Sequence, residues 1–163
     1  MKNDNSDSRE SAVHYMSSLI DVAHEPFLIL DADLKVVSAN PTFYKNFQVS
    51  KEETEGKFLF DLGNGQWNIV ELRKLLKDIL PEKKIVLDYE VEHTFESIGE
   101  KTMLLNAKQV DTVQLIILAI DDITYRKELD DRVEELQVAN RNMVGRELKM
   151  IELKKEIERL KKK

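Results

Sequence analysis

Apolar residues change their period several times along this chain, and each change marks an element. Val13, Met16, Ile20 and Ala23 are spaced 3, 4 and 3, which predicts an amphipathic helix over 11–23 within an N-terminal segment 11–24. Residues 1–10 are polar and are expected to form a disordered lead. Pro26 opens the short strand Phe27-Leu28-Ile29-Leu30, and Asp31-Ala32-Asp33 turns the chain into a second strand at 34–38. Asn40 before Pro41 predicts an N-cap with proline at the first helical position, so 42–47 is helical with Phe43 and Phe47 on one face. Ser50 and Glu53 have capping-box spacing and start another short helix that ends near Gly56.

After the turn cluster Asp61-Leu62-Gly63-Asn64-Gly65, the residues Ile69, Leu72, Leu76, Ile79 and Leu80 keep helical spacing. This is the main helix of the domain, about 67–80, and Pro81 is expected to stop it. Beyond it Ile85, Leu87, Tyr89, Val91, His93 and Phe95 alternate with a mostly acidic set, the period of a half-buried strand. Turns at Gly99-Glu100 and Asp111-Thr112 separate strands at 101–110 and 113–121, which gives a three-strand antiparallel meander. The last run, Leu115 to Ile120, is apolar on both faces. An antiparallel sheet ordinarily leaves one face to water, so Ile116, Leu118 and Ile120 are expected to need cover from the N-terminal helix or from a second chain.

Residues 125–163 contain no proline and read as one long helix. Leu129, Val133, Leu136, Asn140 and Met143 step by 4, 3, 4 and 3, the seam of a coiled coil. Asn140 lies in that seam, where asparagine pairs best with its symmetry mate and selects a two-stranded state. Glu147 takes the next seam position, and a second seam of Met150, Leu153, Ile157 and Leu160 restarts after a three-residue step. A step of that kind overwinds the supercoil locally. The rival arrangement is a solitary helix folded back on its own domain.

Composition narrows the function. At 163 residues the chain suits one modest core plus an appendage. Residues 1–124 hold 13 basic and 22 acidic side chains, whereas 125–163 hold 12 and 9. The acidic body argues against a nucleic-acid surface. There is no cysteine, hence no disulfide, thiolate metal site or cysteine nucleophile. The polar start lacks the apolar core of a signal peptide, and no later stretch approaches a membrane span, so a cytoplasmic location is expected. No phosphate loop, zinc spacing or nucleophile elbow occurs, and the reading is of a protein that is not an enzyme.

The order of elements, with Asp122-Ile123-Thr124 between the last strand and the exit helix, resembles a PAS domain over about 17–126. Asn40-Pro41 matches the family's habit of starting its first small helix there. Leu62-Gly63-Asn64-Gly65-Gln66-Trp67 and Met103-Leu104-Leu105-Asn106-Ala107 resemble a PAS subgroup found in chemotaxis methyltransferase fusions and sensor kinases. The tail Val144-Gly145-Arg146-Glu147-Leu148-Lys149-Met150 resembles a segment that follows PAS modules in sensor kinases. The resemblance implies an α+β PAS fold at 25–124: a five-stranded antiparallel sheet with small helices on one face, an N-terminal amphipathic helix and a C-terminal signalling helix at 125–163.

It also implies a sensory or interaction module of two-component type that passes a change in its sheet to an effector. No histidine follows His93, so the phosphoacceptor of a histidine kinase is missing, and the chain reads as a stand-alone regulator or a piece of a longer sensor. A ligand pocket is expected between the long helix and the inner face of the sheet, near Trp67, Tyr89, His93 and Asn106; a filled core without a pocket is the alternative. The ligand's identity stays open. The missing cysteine excludes the covalent flavin chemistry of light-sensing relatives, and the absence of histidine from 67–80 argues against haem. The signal junction is assigned to Asp122, Ile123 and Thr124, where Thr124 can accept from the first helical amides and the acidic pair meets the positive end of the helix. The expected partners are a second copy of the chain, a kinase or other signalling protein, and a small-molecule ligand. A ligand-free dimerising platform is the competing reading.

Overall fold

The computed structural model describes residues 3–162, which divide after Thr124 into two compact units. The first carries a five-stranded antiparallel sheet in the order β2-β1-β5-β4-β3. Its strands are β1 (Phe27–Asp31), β2 (Val36–Ala39), β3 (Ile85–Phe95), β4 (Gly99–Val110) and β5 (Leu115–Asp122). The predicted hairpin and meander are both present, and β1 joins them by pairing with β5, Leu28 opposite Leu118. Helix α1 (Asn3–Ile20) precedes the sheet, and α2 (Pro41–Phe47) and α3 (Lys51–Thr54) follow the hairpin. Asn40 caps α2, and Ser50 and Glu53 form the complete capping box at α3. The long helix α5 (Thr124–Lys161) starts at the last residue of the first unit and makes up the second; none of its residues is buried.

Several expectations are corrected. The lead is helical from Asn3 onward and α1 stops at Ile20; the lead has neither glycine nor proline to prevent this. Pro81 does not end the main helix. Val70–Lys74 is α-helical, Leu75–Ile79 forms a π turn and Leu80–Lys83 is α-helical again; together they make α4, residues 70–83. The Leu80 N–H bonds Leu75 O five residues back. The wider turn ahead of Pro81 accommodates the missing proline donor and the bulk of its ring. The helix ends instead at Lys84, in the left-handed region at φ 63.

The parity of two strands also differs. In β3 the register shifts between Val86 and Tyr89, with Asp88 at φ 54. This bulge opposes Leu87 and Asp88 to Asn106, whose Oδ1 accepts from the Asp88 N–H at 2.8 Å. Ahead of the bulge the faces exchange: Val86 packs on the core, while Ile85 and Leu87 are exposed. In β5 the residues Ile116, Leu118 and Ile120 belong to the main core, with Leu28, Leu30, Leu72, Leu75 and Leu105. The opposite face is the one α1 covers: Ile20, with Val13 and Met16, packs on Ile29 and Leu115. With both faces of β5 apolar, periodicity alone does not say which points inward.

Candidate functional site

Three features of the fold bear on function: a cleft, the sheet–helix junction and the long helix. The cleft, ≈ 310 Å³, lies between α2 and α3, the segment 61–67 and the end of β3. Its floor is aromatic. Trp67 sits 4.8 Å from Phe47 and 5.3 Å from Phe95 between ring centroids, and Phe43 is 5.5 Å away. These rings are buried, so they wall the cleft more than they open into it. Gln48, Glu53, Lys57, Asp61 and Asn64 supply polar groups around it.

One wall is a left-handed turn, Gly63 at φ 58, Asn64 at φ 58 and Gly65 at φ 82. Glycine adopts this region without a Cβ penalty and asparagine tolerates it, which is the physical content of the Gly-Asn-Gly cluster. Gln66 ties the turn to the opposite wall: its Nε2 donates to Gly63 O at 2.9 Å, and its Oε1 accepts from the Glu96 N–H at 2.7 Å. Sequence reasoning missed this clasp, because nothing local connects Gln66 with a loop thirty residues on.

The four predicted pocket residues do not converge. Trp67 lines the cleft. His93 is half-buried and stands edge-on to Phe95 at 4.8 Å. Tyr89 packs against the main core from the middle of β3 and Asn106 serves the bulge on the outer face. Fully buried Leu72, Leu75, Leu105 and Leu118 fill the middle of the space between α4 and the sheet, and a second cleft opens at its end between Leu76, Lys77 and Pro81 of α4 and Gln109, Gln114 and Ile116. Among the described residues no cluster of three or more His, Asp or Glu side chains is placed to hold a metal, and no helix is long and apolar enough to cross a membrane.

At the junction the neighbouring strand β4 holds the end of β5. The Ile123 N–H bonds Thr102 O at 2.9 Å, and the Thr102 N–H donates to Thr124 Oγ1 at 3.0 Å. The Thr124 hydroxyl thus serves the sheet as well as the helix start, accepting from Thr102 and donating to Asp122 Oδ1. The same carboxylate oxygen accepts the Thr124 N–H at 3.1 Å, while Oδ2 meets Lys101 Nζ at 2.8 Å. Asp122 thus anchors the first helical residue to β4, and Ile123 is buried beneath it. Lys101 and Thr102 are participants that no sequence signal marked.

Partial burial works to raise the Asp122 pKa, but Lys101 and the two Thr124 hydrogen bonds outweigh it and hold the carboxyl below its usual range. A carboxyl depressed in the folded state stabilises it above the unfolded pKa near ~3.9, and that contribution fades as pH falls through the folded value. Because the pair is about a third exposed, Asp122→Asn is expected to cost about 1 kcal/mol at neutral pH. It will also flatten the acid limb of stability below about pH 4. Urea melts between about pH 3 and 7 measure both effects.

No protein-family model matches the chain, and no curated protein matches it. The sheet order, the small helices on its inner face and the long exit helix are those of a PAS fold. Among solved structures, the PAS domain of BvgS from Bordetella pertussis superposes with a TM-score of 0.58 at 18% identity, over 79% of this chain and 98% of that one. A LOV protein of Rhodobacter sphaeroides gives 0.59 at 15%, covering 71% and 68%. The PAS domain of nitrogen regulation protein NR(II) from Vibrio parahaemolyticus gives 0.50 at 17%, covering 66% and 96%. At these identities the likeness is one of fold.

Proposed function

We propose that this chain is a non-catalytic sensory or regulatory module that passes ligand or partner binding at its PAS domain to a dimeric coiled-coil output helix. The observation that carries the reading is α5, a helix of 38 residues with no buried side chain. It nevertheless keeps Leu129, Val133, Leu136 and Met143 in 4-3 order on one face, Leu136 being 67% exposed. A solvated helix has no need of such a stripe, and a second copy would cover it. The Asp122-Ile123-Thr124 junction, tied to β4 by Lys101 and Thr102, is the route by which strain in the sheet reaches the first turn of α5. The structural neighbours that are PAS domains of a regulatory protein or of BvgS favour the signalling role.

A second reading, a ligand-free dimerising platform that docks a kinase or other signalling protein, is favoured by the fully buried leucines, Leu72, Leu75, Leu105 and Leu118, packed between the middle of α4 and the sheet. Native mass spectrometry of the purified chain separates the two. A dimer carrying a defined extra mass supports sensing, a bare dimer supports the platform, and a bare monomer overturns the dimeric rod. Asn140→Leu is expected to raise the melting temperature of the rod while mixing its oligomeric states, since the buried amide favours two strands at some loss of stability. A unique dimer of unchanged stability would remove Asn140 from the seam.

A further inference from the structure

The middle of α5 depends on two thioethers for its apolar seam. Between Leu136 and Leu153 the seam runs through Asn140, Met143, Glu147 and Met150. An amide and a carboxylate take two of those positions, so Met143 and Met150 alone keep the seam apolar over about 25 Å of helix. Both stand open in the single chain, Met143 at 61% and Met150 at 56% exposure. Gly145 lies between them with nothing within 4 Å of an added Cβ, so no close packing demands a residue that weakens the helix there. With no cysteine in the chain, thioethers are its readily oxidised sulfurs. The other described methionines are shielded: Met103 is buried in the main core, and Met16 packs with Ile20, Ile29 and Leu115.

We propose that Met143 and Met150 are oxidation sites through which a peroxide holds the rod apart. Hydrogen peroxide transfers one oxygen atom to each thioether sulfur: the O–O bond breaks, an S–O bond forms, sulfur is oxidised by two electrons and the peroxide leaves as water. The sulfoxide oxygen is an acceptor, and Glu147 between the two sites offers another acceptor instead of a donor. With both sulfurs oxidised, the seam from Asn140 to Met150 presents no apolar group to a second copy, and pairing there loses its hydrophobic drive. Peroxide reaches the sulfurs most readily when the helices are separate, so oxidation captures the unpaired rod and keeps it from closing. Reduction of the sulfoxide returns the thioether, which makes the change reversible. This inference rests on the dimeric reading above. A seam passing instead through Val144, Leu148 and Ile151 leaves both sulfurs outside the pair and is indifferent to their oxidation.

The test treats the full chain with hydrogen peroxide, locates the added oxygen by peptide mass spectrometry and follows the dimer by sedimentation velocity. Oxygen is expected at Met143 and Met150 before Met16 or Met103, with the Kd of the dimer rising at least about tenfold. Met143→Leu with Met150→Leu keeps the seam apolar at nearly constant volume, so this variant is expected to hold its Kd within about twofold through the same treatment. Methionine sulfoxide reductases acting on the oxidised wild-type chain are expected to restore the original Kd. A chain oxidised at both sites that pairs as before overturns the proposal and leaves the dimer standing. Equal weakening of the double-leucine variant also overturns it, since the sensitive group then lies elsewhere. An untreated chain that is already monomeric overturns the dimeric reading, and the proposal with it.

Discussion

Leu118→Asp is expected to abolish cooperative folding of the PAS unit. Leu118 is fully buried at the centre of β5, opposite Leu28 on β1 and Ala107 on β4, and all three belong to the main core. A carboxylate there loses its water and gains no partner; such a site costs more than about 4 kcal/mol, a large share of the roughly 5–15 kcal/mol that holds a domain together. The next residue provides the control. Ile117 is only half-buried and points to the other face, so Ile117→Lys leaves a folded protein with a melting temperature a few degrees lower at most, on the order of 1 kcal/mol. Far-UV circular dichroism melts of the two variants read the parity of β5 directly. A wild-type melt for Leu118→Asp would mean that the inward face of the strand is misassigned.

The same strand shows what a linear pattern conveys and where it stops. Element order was legible because turn chemistry and periodicity are local: the Asn40 cap, the Ser50–Glu53 box and the Asp31 turn are each written within a few residues. The facing of β5 was not, since six consecutive apolar residues carry no alternation. In β3 alternation was present and still misled, because the Leu87–Asp88 bulge reverses the faces midway, and only pairing with β4 reveals an extra residue. The four expected pocket residues do not share one cleft, for a related reason. Trp67, Tyr89, His93 and Asn106 were gathered by polarity along the chain, but the bulge employs Asn106 and the core employs Tyr89. The cleft at Trp67 is bounded by small helices and loops and clasped by Gln66. At the junction, Asp122, Ile123 and Thr124 were visible as a motif, while the clamp from Lys101 and Thr102 depends on strand register.

Asn40→Ala is expected to be the most damaging substitution of a polar residue. The side chain is completely buried and uses all its hydrogen-bonding capacity on backbone: Oδ1 accepts from the Phe27 and Phe43 N–H groups at 2.9 and 3.0 Å, and Nδ2 donates to Ile20 O and Glu25 O at 3.0 and 2.8 Å. Four main-chain groups from the end of α1, the approach to β1 and the first turn of α2 thus meet on one amide. Stranding a buried polar group costs about 1–3 kcal/mol. Allowing for water entering at the α1 end, the net loss is about 3 kcal/mol, or roughly 10 °C in melting temperature for a unit of this size. Asn40→Asp distinguishes the hub from an ordinary helix cap. Aspartate caps as well as asparagine, so a capping role alone predicts little change. In this site, however, the carboxylate would face the Ile20 and Glu25 carbonyls without a proton to donate, and a loss comparable to that of alanine is expected. An Asn40→Asp protein that melts with the wild type would reduce Asn40 to a cap. If both variants are destabilised, amide hydrogen exchange should rise at Phe27 and Phe43 together, since one side chain holds both N–H groups. That result would identify the mechanical link between α2, which carries Phe43 and Phe47 beneath the cleft, and the helix that covers the outer face of the sheet.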